Sequence, residues 1–192
     1  MSEEEFHVHG PHDHELEHAS KHGTADSFTG RIAVTTALLA TVGALFSYQG
    51  GATQANAGMA KNNAAIKKTE AANQWNYYQA KSSKQNLAEL GLELAPSNRR
   101  DFYAQGIERY KQEKLEIKKT AEALEMESKD WDNKSDELMH LHHRWAQATT
   151  ALQIAIALSA IALLTRRKWL QWGVYGLSAF GIALGLLAAA HV

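Results

Sequence analysis

Three long stretches of the chain carry apolar residues without a single charge. They run from Ile32 to Tyr48, from Ala146 to Thr165 and from Leu170 to Ala190. A helix needs about 20 apolar residues to cross a hydrocarbon core of roughly 30 Å, with about 17 as the lower limit. The pattern therefore predicts three transmembrane helices in an all-α chain. Their predicted bounds are 28–48, 145–165 and 169–190.

The alternative is that these stretches are buried core helices of a water-soluble protein. Against this, Trp145, Trp169 and Trp172 lie at the ends of the second and third stretches, and such aromatic residues concentrate at membrane–water interfaces. Threonine and serine dilute the first stretch, but their hydroxyls bond to carbonyls of their own helix and are tolerated in lipid. We therefore expect membrane lipid to surround all three helices.

A short loop with three cations, Arg166, Arg167 and Lys168, separates the second and third stretches. Positive residues in short loops remain on the cytoplasmic side. The loop is therefore predicted to be cytoplasmic, together with the N-terminus. The segment 49–144 and the C-terminus are then predicted to lie outside, in the periplasm, for a multi-pass protein of the bacterial inner membrane. Arg31, just before the uncharged stretch of the first span, agrees with this orientation.

The polar segment 49–144 predicts an extramembrane antiparallel helical hairpin. Pro96 breaks the helix, because proline disfavours helical backbone in the residue before it. Ser97 or Asn98 is expected to cap the second helix. The two arms have equal lengths, as a hairpin needs if both ends return to one membrane surface. At 1.5 Å per residue each arm would be about 70 Å long.

The return arm carries a stripe with alternating spacings of four and three residues, the pattern of a coiled coil. Its predicted packing residues are Ile107, Tyr110, Ile117, Leu124, Trp131 and Leu138. Polar residues interrupt the stripe at Lys114, Ser128, Ser135 and His142. The outgoing arm supplies mostly small residues, then Trp75 and Tyr78, and is expected to shift register to Leu87, Leu90 and Leu94.

The contact between the two arms, here called the seam, has few large apolar residues and buries little apolar surface. Most helical stability comes from packing. We therefore expect a homo-oligomer in which several copies complete each other's seams. Gly181 and Gly185 form a GxxxG motif, which brings helices close together in lipid. The motif fits a contact between copies or a contact of the third span with the first, and the sequence leaves both open.

Residues 73–84 read NQWNYYQAKSSK and resemble the WxYYQAKSxK signature of a bacterial membrane family, domain-of-unknown-function family 4337. The similarity continues in the YKQEK run at 110–114 and the LTRRKW turn at 164–169. The His-rich, acidic N-terminus is similar as well. The resemblance implies this architecture and a bacterial source, and it implies no activity.

The composition of the chain excludes several classes of function and site. Twenty Lys and Arg against 21 Asp and Glu give a net charge of -1, which offers no electrostatic argument for binding nucleic acid. The absence of cysteine excludes disulfides, thiolate zinc sites and cysteine nucleophiles. The apolar stretches contain no Asp, Glu, Lys, Arg or His, whereas transport and proton relay usually require a charged residue. We therefore expect no enzymatic activity.

Histidines supply the candidate metal chemistry. The N-terminal 22 residues combine carboxylates with imidazoles, a ligand set suited to Zn, Ni or Cu. These histidines are His7, His9, His12, His14, His18 and His22. The favoured alternative is a disordered polar tail at residues 1–27, whose histidines are only solvated. His140 and His143, one turn apart before the second span, form a weaker metal or pH-sensitive candidate, with a plain surface cluster favoured.

The sequence thus predicts a non-enzymatic membrane scaffold that self-associates or holds an unknown protein partner through its hairpin. Two alternatives stay open. One is a metal- or pH-responsive sensor that uses the His-rich tail, and the other is an accessory subunit of a larger membrane complex.

Overall fold

The computed structural model describes residues 27–190, which form three α-helices and one short 3-10 turn. The helices are α1 (Ser27–Leu94), α2 (Arg100–Thr165) and α3 (Lys168–Ala189). Alanine, leucine, glutamate, lysine and glutamine, all strong helix formers, dominate throughout. The predicted all-α fold is confirmed. Each of the three helices contains a stretch that is long and apolar enough to cross a membrane.

The chain divides into two compact units. The hairpin unit is Gly50–His143, and the apolar unit combines the chain on either side of it. Both α1 and α2 contribute to each unit, because each helix continues without a break from its apolar part into its polar part.

In the apolar unit, segments of all three helices contact one another through two small clusters. One contains Phe28, Ile32, Ala162 and Leu170, and the other contains Leu39, Leu152, Ala155 and Val174. Many other large apolar side chains of this unit are exposed, among them Val34, Leu38, Ile161, Leu164 and Leu187. An apolar outer surface of this extent suits a lipid environment.

A two-residue turn joins α2 to α3. Arg166 adopts the left-handed conformation, with φ of 51°, and its N–H donates to Ala162 O at 2.9 Å. A left-handed residue just past the last turn is a common way to end a helix. Arg167 precedes α3, and Lys168 is the first residue of α3. The predicted tight cationic turn is therefore present.

The hairpin unit reverses at Pro96. The chain passes directly from Pro96 into the 3-10 turn Ser97–Arg99, where Arg99 N–H donates to Pro96 O at 2.9 Å. The prediction that Ser97 or Asn98 caps the second helix was wrong, because both residues lie inside this turn. Pro96 occupies the N-cap position of the 3-10 turn, with extended backbone and no side-chain hydrogen bond, and α2 begins three residues after Ser97 at Arg100.

The seam of the hairpin unit keeps a seven-residue spacing along α1. The buried or half-buried positions at that interval are Gly50, Ala57, Ala64, Ala71, Tyr78 and Gln85. The predicted shift to Leu87, Leu90 and Leu94 was wrong, since these side chains are 68%, 54% and 77% exposed. Gly91 helps to preserve the spacing, because a Cβ there would lie 2.6 Å from the ring of Tyr103. Leu92, seven residues after Gln85, is half-buried, so the same spacing continues to the turn while the other three leucines lie beside it.

Candidate functional site: the seam of the hairpin unit

Three polar side chains of α2 reach backbone carbonyls of α1 at seven-residue intervals. The pairs are Ser128 Oγ with Ala64 O (2.8 Å), Ser135 Oγ with Ala57 O (3.0 Å) and His142 Nδ1 with Gly50 O (2.9 Å). A carbonyl only accepts, so Nδ1 of His142 carries the proton in this bond. We call these three contacts the polar ladder.

Small residues on α1 make the polar ladder possible. Glycine and alanine allow the two backbones to approach until a short side chain reaches a carbonyl of the opposite helix. Each carbonyl oxygen has two lone pairs, so it accepts the bond from α2 in addition to its helical bond. Polar contacts within a coiled-coil seam specify the register of the helices. The residues that seemed to interrupt the stripe therefore hold the two helices at a fixed offset.

Nearer the turn, a second cluster of side chains joins the two helices. We call it the aromatic clamp, and it comprises Tyr77, Tyr78, Lys81, Tyr110, Glu113 and Lys114. Lys81 Nζ lies 2.6 Å from Glu113 Oε2. The same ammonium group lies 5.0 Å from the ring centroid of Tyr77 and 5.8 Å from that of Tyr110. The side chain of Lys81 is only 13% exposed, so these contacts enclose it.

The clamp is reciprocal. Lys114 of α2 lies with its Nζ 5.0 Å from the ring centroid of Tyr78 on α1, and it donates to Gln85 Oε1 at 3.2 Å. Lys81 of α1 in turn lies near Tyr110 of α2. Each helix thus places a cation against a tyrosine of the other, a favourable interaction that strengthens as water is excluded.

The electrostatics of the clamp keep its charges fixed. The bond to Lys81 lowers the pKa of Glu113 below its usual 4.5, with further contributions from Arg109 and Lys84. The bond to Glu113, aided by Tyr77, raises the pKa of Lys81 above its usual 10.5. A lysine held protonated in this way is neither a nucleophile nor a general base. The arrangement is suited to holding the helices together.

Trp75 extends the clamp away from the turn. Its indole N–H donates to Glu125 Oε1 at 2.8 Å, and its ring meets Tyr78 edge-on at 5.7 Å between centroids. Farther along, Lys67 pairs with Glu127 at 3.1 Å. Such partly exposed ion pairs contribute little individually. The 73–84 block therefore supplies the clamp with an interlocked aromatic and cationic face.

The predicted packing residues of α2 occupy the seam to different degrees. Ile107 and Ile117 are buried, and the half-buried members are Tyr110, Leu124 and Leu138. Trp131 is 40% exposed. These side chains face α1 of the same chain, and their participation in a contact between copies stays a prediction.

The GxxxG motif packs within one chain. A Cβ added at Gly185 would lie 2.2 Å from the ring of Phe46 on α1, and one at Gly181 would lie 2.8 Å from Leu152 on α2. Of the two alternatives that the sequence left open, the structure uses the contact of α3 with its own α1 and α2. Both glycines are buried by it.

The histidine candidates divide between described and undescribed parts of the chain. His140 and His143 are exposed, and within residues 27–190 no group of three or more His, Asp or Glu side chains is placed to hold a metal ion. His142, which the sequence analysis treated as an interruption, belongs to the polar ladder. The tail histidines His7, His9, His12, His14, His18 and His22 lie outside the described residues, so their metal binding stays a prediction.

Sequence reasoning missed the polar members of the α1 seam. Lys67, Gln74, Lys81 and Gln85 are all half-buried there. A search for apolar residues alone does not find them. The seven-residue spacing of Ala57, Ala64, Ala71 and Tyr78 nevertheless predicts Gln85 as the next position of the seam. Spacing alone was the signal that would have found them.

Comparison with known proteins gives one match. A family model described as a domain of unknown function, DUF4337, matches residues 28–191. No curated protein and no solved structure matches the chain.

Proposed function

This chain belongs to the DUF4337 family, and we propose that it is a non-enzymatic membrane scaffold that holds proteins through its hairpin unit. Three helices apolar enough to cross a membrane support the anchoring part of this proposal. The polar ladder and the aromatic clamp support the holding part. In both clusters, hydroxyl, imidazole and amino groups of the seam bind the facing helix. These bonds hold α1 and α2 together as a stiff hairpin.

One observation carries the proposal. Four large apolar side chains near the turn, Leu87, Leu90, Leu94 and Phe102, remain more than half exposed. We call this set the turn surface. An open cleft of about 500 Å³ adjoins it, with Lys84 among its lining residues. Contiguous apolar side chains exposed on a water-facing segment mark protein-binding sites.

The composition of the seam explains why these leucines are available. Near the turn, the half-buried residues of α1 are Gln85, Ala88, Gly91 and Leu92, and all but Leu92 are small or polar. Leu87, Leu90 and Leu94 leave more than half of their surface outside the contact between α1 and α2. A second protein surface that covered them would remove apolar area from water at about 25 cal/mol per Å².

The proposed setting is the inner membrane of a bacterium. The cationic turn formed by Arg166, Arg167 and Lys168 supports a cytoplasmic location for that turn. The N-terminus would then be cytoplasmic, and the hairpin unit would face the periplasm with the turn surface available to partners there.

The test compares assemblies after gentle extraction. The chain carrying Leu87→Gln, Leu90→Gln and Leu94→Gln should lose the partner bound at the turn surface, a further copy or a foreign subunit, and should keep any contact made elsewhere on the chain. A chain with Met59→Gln and Ile66→Gln, two exposed apolar residues of α1 away from the turn, serves as the matched control and should keep it. Native mass measurement reads the composition in each case.

Two results would contradict the scaffold. One is a wild-type chain that emerges as a monomer with no stoichiometric companion. The other is an assembly that survives unchanged in the leucine variant.

A further inference from the structure

Gln153 places a carboxamide in the middle of the apolar part of α2. No charged residue occurs between Arg144 and Arg166. At 1.5 Å per residue that interval is about 33 Å long, and Gln153 lies about 13 Å from its Arg144 end. A side chain at this position is too far from either end of the span for its polar group to reach water.

The side chain of Gln153 is exposed on the surface of the apolar unit. Across residues 27–190 no donor or acceptor of the chain pairs with it. A carboxamide carries two N–H donors and a carbonyl acceptor, and leaving such groups unpaired in hydrocarbon costs several kcal/mol. Something outside the described chain must satisfy it.

Neighbouring polar groups show how a span normally avoids this cost. Thr150 Oγ1 donates to Ala146 O at 2.8 Å, within its own helix. Ser159 and Thr36 bond to each other across two helices at 2.7 Å. Gln171 Nε2 donates to the hydroxyl of Tyr175 at 2.7 Å. Gln153 makes no such hydrogen bond within residues 27–190, although its carboxamide has two N–H donors where a hydroxyl has one O–H donor.

The stripe of α2 that contains Gln153 consists mostly of small residues, and the exposed Ile154 and Ile161 flank it. Exposed residues precede and follow it at spacings of three and four along α2, and they are small: Ala146, Thr150, Ala157 and Ala160. Small side chains let two helices approach until polar side chains meet across the contact. A large residue appears on this stripe only at Leu164, near the end of the helix.

A second copy of the chain supplies the hydrogen-bond donor and acceptor that the Gln153 carboxamide needs. Two copies with the same orientation in the membrane place their Gln153 residues at the same depth. A carboxamide is its own complement, because each side chain donates an N–H to the carbonyl of the other. A two-fold axis perpendicular to the membrane brings the same patch of both copies together, as most homodimers do. A different protein would need a matching polar side chain at this one depth.

We propose that the exposed face of α2 centred on Gln153 is the contact between two copies of this chain, in which the two Gln153 carboxamides hydrogen-bond to each other. The inference rests on the membrane setting of the proposed function and names a second copy as one partner of the scaffold. It uses a surface distinct from the turn surface, so the two proposals fail separately.

The first measurement is energy transfer between labelled copies of the full chain in phosphatidylcholine vesicles. The chain has no cysteine, so Met126→Cys provides a single labelling site on the exposed surface of the hairpin unit. Gln153→Leu should weaken association about tenfold, as expected for the loss of two interhelical hydrogen bonds at about 0.6–1 kcal/mol each. Gln171→Leu is the matched control, since its carboxamide pairs within α3, and it should leave association unchanged.

The second measurement keeps Gln153 and does not depend on how a variant folds. Ala157→Cys, one turn from Gln153, should form a disulfide between copies when native membranes are treated with copper–phenanthroline and oxygen as the oxidant, whereas the exposed Val34→Cys on α1 should not. The Ala157→Cys link should persist when Leu87, Leu90 and Leu94 are replaced by glutamine, which separates this contact from the turn surface.

Three results would overturn the proposal. The first is a chain that is monomeric at every ratio of lipid to protein. The second is equal association of the Gln153→Leu and Gln171→Leu chains. The third is a cross-link from Ala157→Cys to a polypeptide of another mass.

Discussion

At the scale of single residues, several polar and charged side chains of the seam are engaged in contacts between α1 and α2. Lys81 and Glu113 form a short ion pair between two tyrosine rings. Ser128 and Ser135 bond to carbonyls of the facing helix. Residue type alone did not predict these contacts, because a lysine or serine interrupts the apolar pattern of a heptad stripe. The seven-residue spacing, rather than hydrophobicity, identifies them.

The ion pair predicts how stability depends on pH. The pKa of Glu113 is lowered in the folded chain, so its contribution is present above the usual value of 4.5 and is lost as pH falls through the lowered pKa. The pKa of Lys81 is raised, so its contribution is present below 10.5 and is lost as pH rises through the raised pKa. Between these limits the contribution should be constant.

The measurement is the free energy of unfolding of the full chain in detergent, for the wild type and for Lys81→Met, from pH 3 to pH 11. The difference between the two should form a plateau at intermediate pH and shrink at both ends. Replacement of the exposed Lys119 by Met is the control. Parallel curves for wild type and Lys81→Met across the acid range would show that the pair contributes nothing.

At the scale of elements, the sequence predicted the three apolar stretches, the reversal at Pro96 and the stripe along α2. It failed where two helices had to be matched to each other. The seam was predicted to include Leu87, Leu90 and Leu94 because they are large apolar residues near the turn. Gly91 lies against the ring of Tyr103 in this part of the contact instead, and a glycine carries no hydrophobic signal for a pattern to detect.

The packing of α3 provides a prediction at this scale. Gly185→Ala would bring a Cβ to 2.2 Å from the ring of Phe46, which also packs against Trp145 at 5.3 Å between centroids. Forcing atoms into a packed site costs about 1–3 kcal/mol, so the free energy of unfolding should fall by that amount. Gly176→Ala, on the same helix with no atom within 4 Å of the new Cβ, should cost nothing. Equal effects of the two substitutions would refute the contact.

At the scale of the whole molecule, the two units differ in the solvent that suits them. The apolar unit exposes large aliphatic side chains and keeps most of its hydroxyl groups bonded internally. The hairpin unit is covered by ion pairs, such as Lys61 with Asp132 and Lys118 with Glu122. The sequence predicted this division because charge is segregated along the chain. A surface that awaits a second copy, such as that around Gln153, emerges only when the contacts within one copy are known.

The most direct test of the account asks which residues water reaches. Single cysteines introduced into the cysteine-free chain are treated with a membrane-impermeant maleimide on intact cells. Leu90→Cys and Met126→Cys in the hairpin unit should react from outside. Val34→Cys, Ile161→Cys and Leu187→Cys should remain unlabelled until detergent is added. Equal labelling of all five positions without detergent would contradict the placement of these three helices in lipid.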